Sequence, residues 1–541
     1  MVKKTIIKDL KRAIADLGYQ ETDIVCSIPK NSQFGDYSTN VALQLTKQSS
    51  ADSYQSSDKI ANQILEKLGN PDYLAKAEVA GNGFINFFLK PEILSKDLQT
   101  ILDEGDKFGK SEIGKGKKAR VEFISANPTG PLHFGNGRGG PIGDVISSVL
   151  ESVGYEVLRE YIDNDKGNQV NELGKTLAFR GGLIKAEEEE LTYKGEYTKD
   201  LASKAVEQLG DKANLSEAEI IGKMGEIGVN LMFEDINKDI SDMGIKFDLV
   251  VHESELQKKA PAILDELEKR DLLKKYEGAL WFAPRNEFLE DRDAVVVKTD
   301  GEYTYFTADV VYHKEKFTSG YDLVIDVFGS NTAGHVPKLQ ALASVFDFDL
   351  SKFKIIMYQF VRVKRGSEIV KMSKRAGNFI TVREVLDEVG KDAFRFYLLR
   401  FGPQTHMDFD LQLVKEQSNK NPVYYVQYAH ARMSNLLIKA GDRSGKINLG
   451  LLTDPKEIDL IKHLLSYPDL IEEIATSLSV HQLTEYAIIL ADHFHKFYEA
   501  CPVINAGNED LVNARISLVK ASKTTLANVL KLIGVSAPDY L

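Results

Sequence analysis

A strand, a glycine-rich break and a helix, laid end to end over Ala119 to Val153, constrain this chain more than any other stretch. Arg120 to Ser125 is a run of strand length dominated by apolar and β-branched residues, and it predicts a buried parallel strand. Asn127-Pro128-Thr129-Gly130-Pro131 ends it with strong turn punctuation. From Pro141 onward Ile142, Val145, Ile146, Val149, Leu150 and Val153 recur with helical period. Between strand and helix stand His133-Phe134-Gly135-Asn136, backed by Gly137, Gly139 and Gly140. A turn of this kind brings backbone N–H groups and the positive end of a helix to an anionic phosphate. His133 adds a side-chain donor, and Gly135 leaves room for an adenine or ribose to approach. The stretch predicts a nucleotide site.

So short a pattern as His-x-Gly-Asn carries little weight alone. A second stretch lies more than two hundred residues on, where Lys371-Met372-Ser373-Lys374-Arg375 sits in a polar, glycine-containing loop after a predicted strand, Ile355–Val363. Together the two resemble the paired signatures of class I aminoacyl-tRNA synthetases. The words SANPTGPLHFGN, KMSKRAGNF and NPVYYVQYAHAR resemble more narrowly the bacterial arginyl-tRNA synthetases, and the likeness runs from Gly35-Asp36 to the closing GVSAP. It implies an arginine–tRNA ligase that joins L-arginine to ATP, releases pyrophosphate, and passes the arginyl group to the 3′ end of tRNA(Arg). ATP with Mg2+ is the implied cofactor, with no structural metal.

At 541 residues the chain exceeds a single core, so several domains are expected. Asp+Glu 80 against Lys+Arg 68 gives a net charge of −12, which restricts any nucleic-acid contact to locally basic surfaces. Two cysteines, Cys26 and Cys501, are too few for a disulfide framework or a Cys-rich zinc site. No apolar run reaches membrane-spanning length and the amino terminus carries no export signal. A cytoplasmic monomer with no membrane contact is the expectation.

The fold class expected is α/β: a Rossmann-like parallel-sheet catalytic domain with a helical insertion, a small α+β amino-terminal domain and an all-α carboxyl-terminal bundle. Residues 1–110 form the first unit, with a helical stripe Ile6, Ile7, Leu10, Ile14 and Leu17, a helix from about Thr39, and a strand Phe84–Leu89. By resemblance it touches tRNA. Gly109–Lys118 reads as the linker into a catalytic domain over 111–415. That domain carries an insertion at about 175–291, rich in helix and charge, and the lysine loop 371–375. Its sheet resumes with Ala294–Lys298, Tyr303–Phe306 and Leu323–Phe328, and a single helix is expected from Thr381 to Leu399. Residues 416–541 read as helices throughout, the proposed anticodon-binding bundle.

Residue by residue, the resemblance assigns catalysis to His133, Asn136, Lys371 and Lys374, and ATP binding to His133, Gly135, Asn136, Met372 and Lys374. Lysine ammonium groups suit a triphosphate and a departing pyrophosphate. The family most often has histidine where this chain has Asn136, which donates and accepts but carries no charge. Arginine falls by resemblance to Ser125, Asn127, His133, Glu253, Tyr305, Asp309 and Asn331, with Glu253 on the α-ammonium and Tyr305 and Asp309 on the guanidinium. A guanidinium is a planar fork of donors that pairs bidentately with carboxylates. Gly329-Ser330-Asn331-Thr332-Ala333-Gly334 departs from the family's usual Gly-Ala-Asp-His-His-Gly, removing an acid and two imidazoles. Tyr424, Gln427, Tyr428, His430 and Arg432 suit stacking on splayed bases, and the resemblance gives them to tRNA. A different nucleotidyl-transferase would have no reason to carry those words, and a silent tRNA-binding relative none to keep the lysine loop. The resemblance further implies that tRNA must bind before arginine is activated.

Overall fold

The Lys118–Phe123 strand stands at the centre of a five-stranded parallel sheet, with Ala119, Val121 and Phe123 wholly buried. The computed structural model describes residues 2–20, 22–29, 32–46, 55–210, 214–290, 292–370, 379–441 and 447–541. Lys371, Met372 and Lys374 of the lysine loop lie outside the described residues. On one side of the central strand come Glu156–Asp163 and then Leu249–His252; on the other, Leu323–Gly329 and then Phe353–Tyr358. Val121 sits opposite Ile325 on one flank and Arg159 on the other. The chain thus builds outward on one side, returns, and builds outward on the other. A ligand crevice opens at such a reversal, beyond the carboxyl ends of the strands.

The Gly139–Ser152 helix lies against this sheet because Gly143 has no side chain: a Cβ there would stand 2.2 Å from Phe123 Cγ. The glycines behind His133 were expected to offer N–H groups to phosphate. Gly137, Gly139 and Gly140 are instead buried within helices, where a Cβ would collide with Val382, Tyr358 and Ile245 in turn. They serve close packing.

Five further expectations are corrected. Ile355–Val363 is two strands: Phe353–Tyr358 ends the parallel sheet, and after Gln359 and Phe360 the Val361–Arg365 strand joins a separate three-stranded sheet. Tyr303–Phe306 is no strand, since the Tyr305–Thr318 helix begins inside it and Tyr303 makes only an isolated bridge to Val297. The helix expected from Thr381 to Leu399 breaks at Gly390, φ 76°, into Val382–Val389 and Lys391–Leu398, although Thr381 does cap the first through a reciprocal bond pattern with Glu384. Within 175–291 the Leu249–His252 strand returns to the parallel sheet, and Leu273–Tyr276 and Ala279–Phe282 form an antiparallel sheet with Ala294–Val297. At the amino terminus Tyr37–Thr39 is a strand, and the helix starts at Val41.

The amino-terminal unit is α+β, a four-stranded antiparallel sheet with the Val2–Asp16 and Ser57–Leu68 helices, and residues 422–532 supply the helix bundle. One apolar core runs from Val2 to Val535, so these units pack on one another. Lys462 pairs with Asp36 at 2.5 Å and Lys3 with Asp469 at 3.2 Å, docking the amino-terminal unit on the bundle. The Gly109–Lys118 connection is packed as well, with Gly109 against the Tyr467 ring. Arg395, fully buried, donates to Ile533 O, to Met243 O and to Asp144 Oδ2 (2.8, 3.0 and 2.6 Å). It thereby joins the end of the bundle to the helix that follows His133.

Candidate active site

A cavity of about 500 Å3 opens where the strand order reverses, and Ser125, Asn127, His133, Asn136, Glu253, Tyr305, Asp309 and Asn331 all line it. These residues come from four separate stretches of sequence. Gly135 is buried just behind His133.

The turn that carries His133 is held under local strain. Ile124 and Ser125, immediately after the central strand, have φ of 69° and 40°, a region costly for side chains of this kind. Tyr161 fixes them by clamping Ala126, accepting from its N–H at 3.1 Å and donating to its carbonyl at 2.6 Å. His133 caps the Phe134–Gly137 helix, its Nδ1 accepting from Gly135 N at 2.8 Å. In the neutral ring that bond leaves the proton on Nε2, a donor. Phe134 N donates to Ile380 O and Val382 N to Leu132 O, while the Phe379 and His133 rings lie 5.5 Å apart. The segment that immediately follows the lysine loop is therefore stitched to the histidine turn.

The opposite wall is anionic. Glu253 begins the Glu253–Lys269 helix and is 2% exposed. Its Oε1 accepts from Gln257 Nε2 at 3.2 Å, while Oε2 has no hydrogen-bond partner among the described residues. Burial pushes its carboxyl up to about 7, and the neighbouring Asp309, Asp165 and Asp163 push the same way. Asp309 and Tyr305 lie one turn apart on the Tyr305–Thr318 helix, so both face the cavity. Thr304 holds the N-cap position, which removes capping as the explanation of Asp309. Asn331 sits exposed in the Ser330–His335 turn at the cavity edge.

Sequence reasoning missed several residues that the fold brings in. Asn164 donates to Asn127 Oδ1, and Asn127 Nδ2 donates to Gln169 Oε1 at 2.8 Å, a chain of amides that fixes which way Asn127 faces. The polar run Asp163 to Gln169 was the available signal. Beneath the floor lies a buried charge network: Lys316 Nζ donates to Asp326 Oδ1 at 2.7 Å and to Glu122, and Arg120 Nε to Glu160 Oε2 at 2.7 Å. Burial works against ionised Asp326, but Lys316 and His313 hold it down at about 2, whereas burial drives Glu122 upward. His313 Nδ1 lies 2.9 Å from the Asp309 carbonyl and Nε2 3.2 Å from Asp326 Oδ2, so the network also anchors Asp309's backbone.

On the bundle, the five residues given to tRNA separate. Tyr424 and Tyr428 stack at 6.1 Å and 15°, Tyr428 is exposed, and Arg432 lies 4.1 Å from the Tyr498 ring centre. His430 is buried with Nδ1 2.8 Å from Pro538 O, and Gln427 donates to Asp392 and Ser536 O. Those two fasten the carboxyl-terminal tail, because the helical period turns them from the face that Tyr424, Tyr428 and Arg432 share.

A reversal-point crevice holding a strapped histidine turn beside an anionic pocket, with a helix bundle beyond, defines a class I aminoacyl-tRNA synthetase. Residues 97–400 match the family described as tRNA synthetases class I (R), catalytic domain; residues 2–89 match the arginyl tRNA synthetase N terminal domain, and 426–541 the DALR anticodon binding domain. The arginine–tRNA ligase of Citrifermentans bemidjiense is 40% identical over 95% of this chain and 94% of its own, and that of Thermotoga maritima 37% over 100% of both. The Thermus thermophilus arginyl-tRNA synthetase structure shares the fold at TM-score 0.81, with 22% identity over 100% of each chain. The chain belongs to the arginyl-tRNA synthetase family and is an arginine–tRNA ligase, with arginine, ATP and tRNA as its substrates.

Proposed function

We propose that the anionic wall holds arginine and the histidine turn holds ATP. The observation that carries this is Glu253 Oε2, buried and without a hydrogen-bond partner among the described residues, at the edge of a cavity that also contains Asp309. A buried carboxylate left in this way asks for a cation. Glu253 takes the α-ammonium, with Asn127 and Ser125 beside it, and Tyr305 and Asp309 take the guanidinium, with Asn331 at the edge. The arginine carboxylate is then directed toward the ATP α-phosphate. His133 Nε2–H and Asn136 donate on the phosphate side, and Gly135, whose N–H is already given to His133, keeps the turn tight enough for the nucleotide. Lys371 and Lys374, with Met372 between them, complete the phosphate side from the loop whose following segment is tied to the histidine turn. Mg2+ enters with ATP on the triphosphate. Two acid–histidine clusters stand among the described residues: Lys316 fills one, and Asp163, Asp165 and His252 form the other, which is bonded to its own helix start. Neither is assigned to the ion.

tRNA is read as lying on Tyr424, Tyr428 and Arg432 of the bundle and on the amino-terminal unit, which docks on the same bundle through Lys462–Asp36 and Lys3–Asp469. Arg395 supports a requirement for tRNA in arginine activation, because it bonds the bundle's last helix and the helix after His133 at once. tRNA must then favour the competent arrangement; a hundredfold preference corresponds to ~2.7 kcal/mol. The protein is read as a cytoplasmic monomer: both cysteines are buried free thiols, and among the described residues no helix is long and apolar enough to cross a membrane. The test is arginine-dependent exchange of pyrophosphate into ATP, with and without uncharged tRNA. Exchange is expected only with tRNA; full exchange without RNA refutes the coupling and leaves the ligase activity standing.

A further inference from the structure

His335 ends the Ser330–His335 turn directly after the Leu323–Gly329 strand and stands half-exposed at the mouth of the same cavity. Its Nδ1 lies 3.6 Å from Asp309 Oδ2, within ion-pair range yet long for a hydrogen bond. The carboxylate assigned to the guanidinium thus already faces a second nitrogen base able to carry positive charge. A guanidinium does not deprotonate in proteins, whereas imidazole changes charge near neutral pH. Two cations beside one carboxylate repel each other, so when both compete the imidazole is the one that gives up its proton. We infer that His335 is a specificity-determining residue of the arginine site: its imidazolium pairs with Asp309 and keeps a guanidinium out, and its neutral ring yields Asp309 and accepts a guanidinium N–H. This rests on the reading that Asp309 takes the guanidinium.

The other titratable groups on the cavity bear on the same balance. Asp309 and Tyr305 come from the Tyr305–Thr318 helix, Glu253 from the Glu253–Lys269 helix and Glu122 from the central strand, with His313 deeper and His133 across the cavity. Asp309 Oδ2 lies within ion-pair range of the His335 ring, and a bound guanidinium competes for the same carboxylate. Lys338, one turn further along the chain, is directed elsewhere, its Nζ lying 5.3 Å from the Phe306 ring centre. Arginine binding therefore expels a proton from His335. Glu253 releases one too when a cation reaches it, so the contribution of His335 is the difference between the wild type and a His335 variant.

The experiment is calorimetric titration of arginine into the full chain, in buffers of different ionisation enthalpy, at about pH 6 and about pH 8. Wild type is expected to release up to about one proton more than His335→Asn at the lower pH and the same number at the higher. Its KM for arginine should accordingly rise more steeply toward acid than that of His335→Asn, by up to about tenfold per pH unit. His335→Lys, a permanent cation at the same place, is expected to raise the arginine KM at least ~tenfold at both pH values and leave the ATP KM within ~twofold. Equal proton release by wild type and His335→Asn, or wild-type arginine affinity in His335→Lys, overturns the inference. Asp309→Asn separates the two levels. If it loses arginine affinity while His335→Asn releases the wild-type number of protons, only the His335 role falls; if it binds arginine normally, the guanidinium assignment itself falls.

Discussion

Glu253→Gln is expected to stabilise the empty enzyme at alkaline pH while damaging arginine binding. Burial raises the Glu253 carboxyl from 4.5 to about 7, so between those values the folded chain holds a proton that the unfolded chain has released. Stability therefore falls as pH rises through that window, and the loss is complete above about 7. The difference, 7 − 4.5 or about 2.5 units at about 1.36 kcal/mol each, is ~3 kcal/mol. Gln cannot ionise, so it escapes this loss at every pH. It introduces an amide N–H where Oε2 had no partner among the described residues, but that cost is common to both ends of the pH range and cancels in the comparison. The stability of Glu253→Gln relative to wild type should thus rise by ~3 kcal/mol between about pH 4.5 and about pH 8. Trp281 is the one tryptophan of the chain and stands in the Ala279–Phe282 strand of the catalytic region, so its fluorescence during urea denaturation reports the transition. In the same variant the arginine KM should rise about ten- to a hundredfold, the ~1.5–3 kcal/mol of a lost charged hydrogen bond. Arginine should shift the wild-type transition at about pH 8 and barely shift that of the variant. A relative stability that does not change with pH refutes the argument that Glu253 is a buried carboxylate waiting for a cation.

Lys316→Met is expected to destabilise by ~3–5 kcal/mol, because it leaves Glu122 and Asp326 buried without their shared counter-ion. Denaturation at neutral pH measures this, and a loss below ~1 kcal/mol would mean that the network is relieved by protonation alone. Lys374→Ala is expected to slow single-turnover adenylate formation by ~2.7–4 kcal/mol, the scale of a lost donor to developing charge. An unchanged rate removes Lys374 from the chemistry. Gly135→Ala would set a Cβ 2.9 Å from His133 Nδ1, displacing the ring and its cap. Activity is expected to fall ~tenfold or more with little change in denaturation midpoint, since the site is small and local, and full activity would show that the ring's placement is immaterial.

Much of the site was legible because its parts are local. The turn over 127–136 and its flanking strand are written in punctuation and period, and so are the bundle helices. Where the period was ambiguous the reading erred. Ile355 to Val363 is apolar or aromatic except for Gln359 and Arg362 and has neither Gly nor Pro at Gln359-Phe360, so no local breaker marks the bend between two sheets. Tyr303 to Phe306 is rich in aromatic residues that favour strands, yet a helix begins there, with Thr304 at its N-cap position. His430 and Gln427 have the composition of base readers, and only packing reveals that they hold the chain's last residues.

By itself, then, the sequence determined the strand–turn–helix unit, the pair of signatures and the helical carboxyl-terminal region, and by resemblance it offered a set of acids for a cationic substrate. Tertiary structure alone decided that Leu249–His252 closes the parallel sheet and delivers Glu253 to the cavity, that Asn164 orients Asn127, and that His335 faces Asp309. It also decided that Lys316 donates to Glu122 from 194 residues away. The physical reason is one of range. Backbone preference and hydrophobic period act over a few residues and can be read in one pass along the chain. Which side chains meet across a cavity depends on strand order and register, and these are fixed by the burial of the whole core.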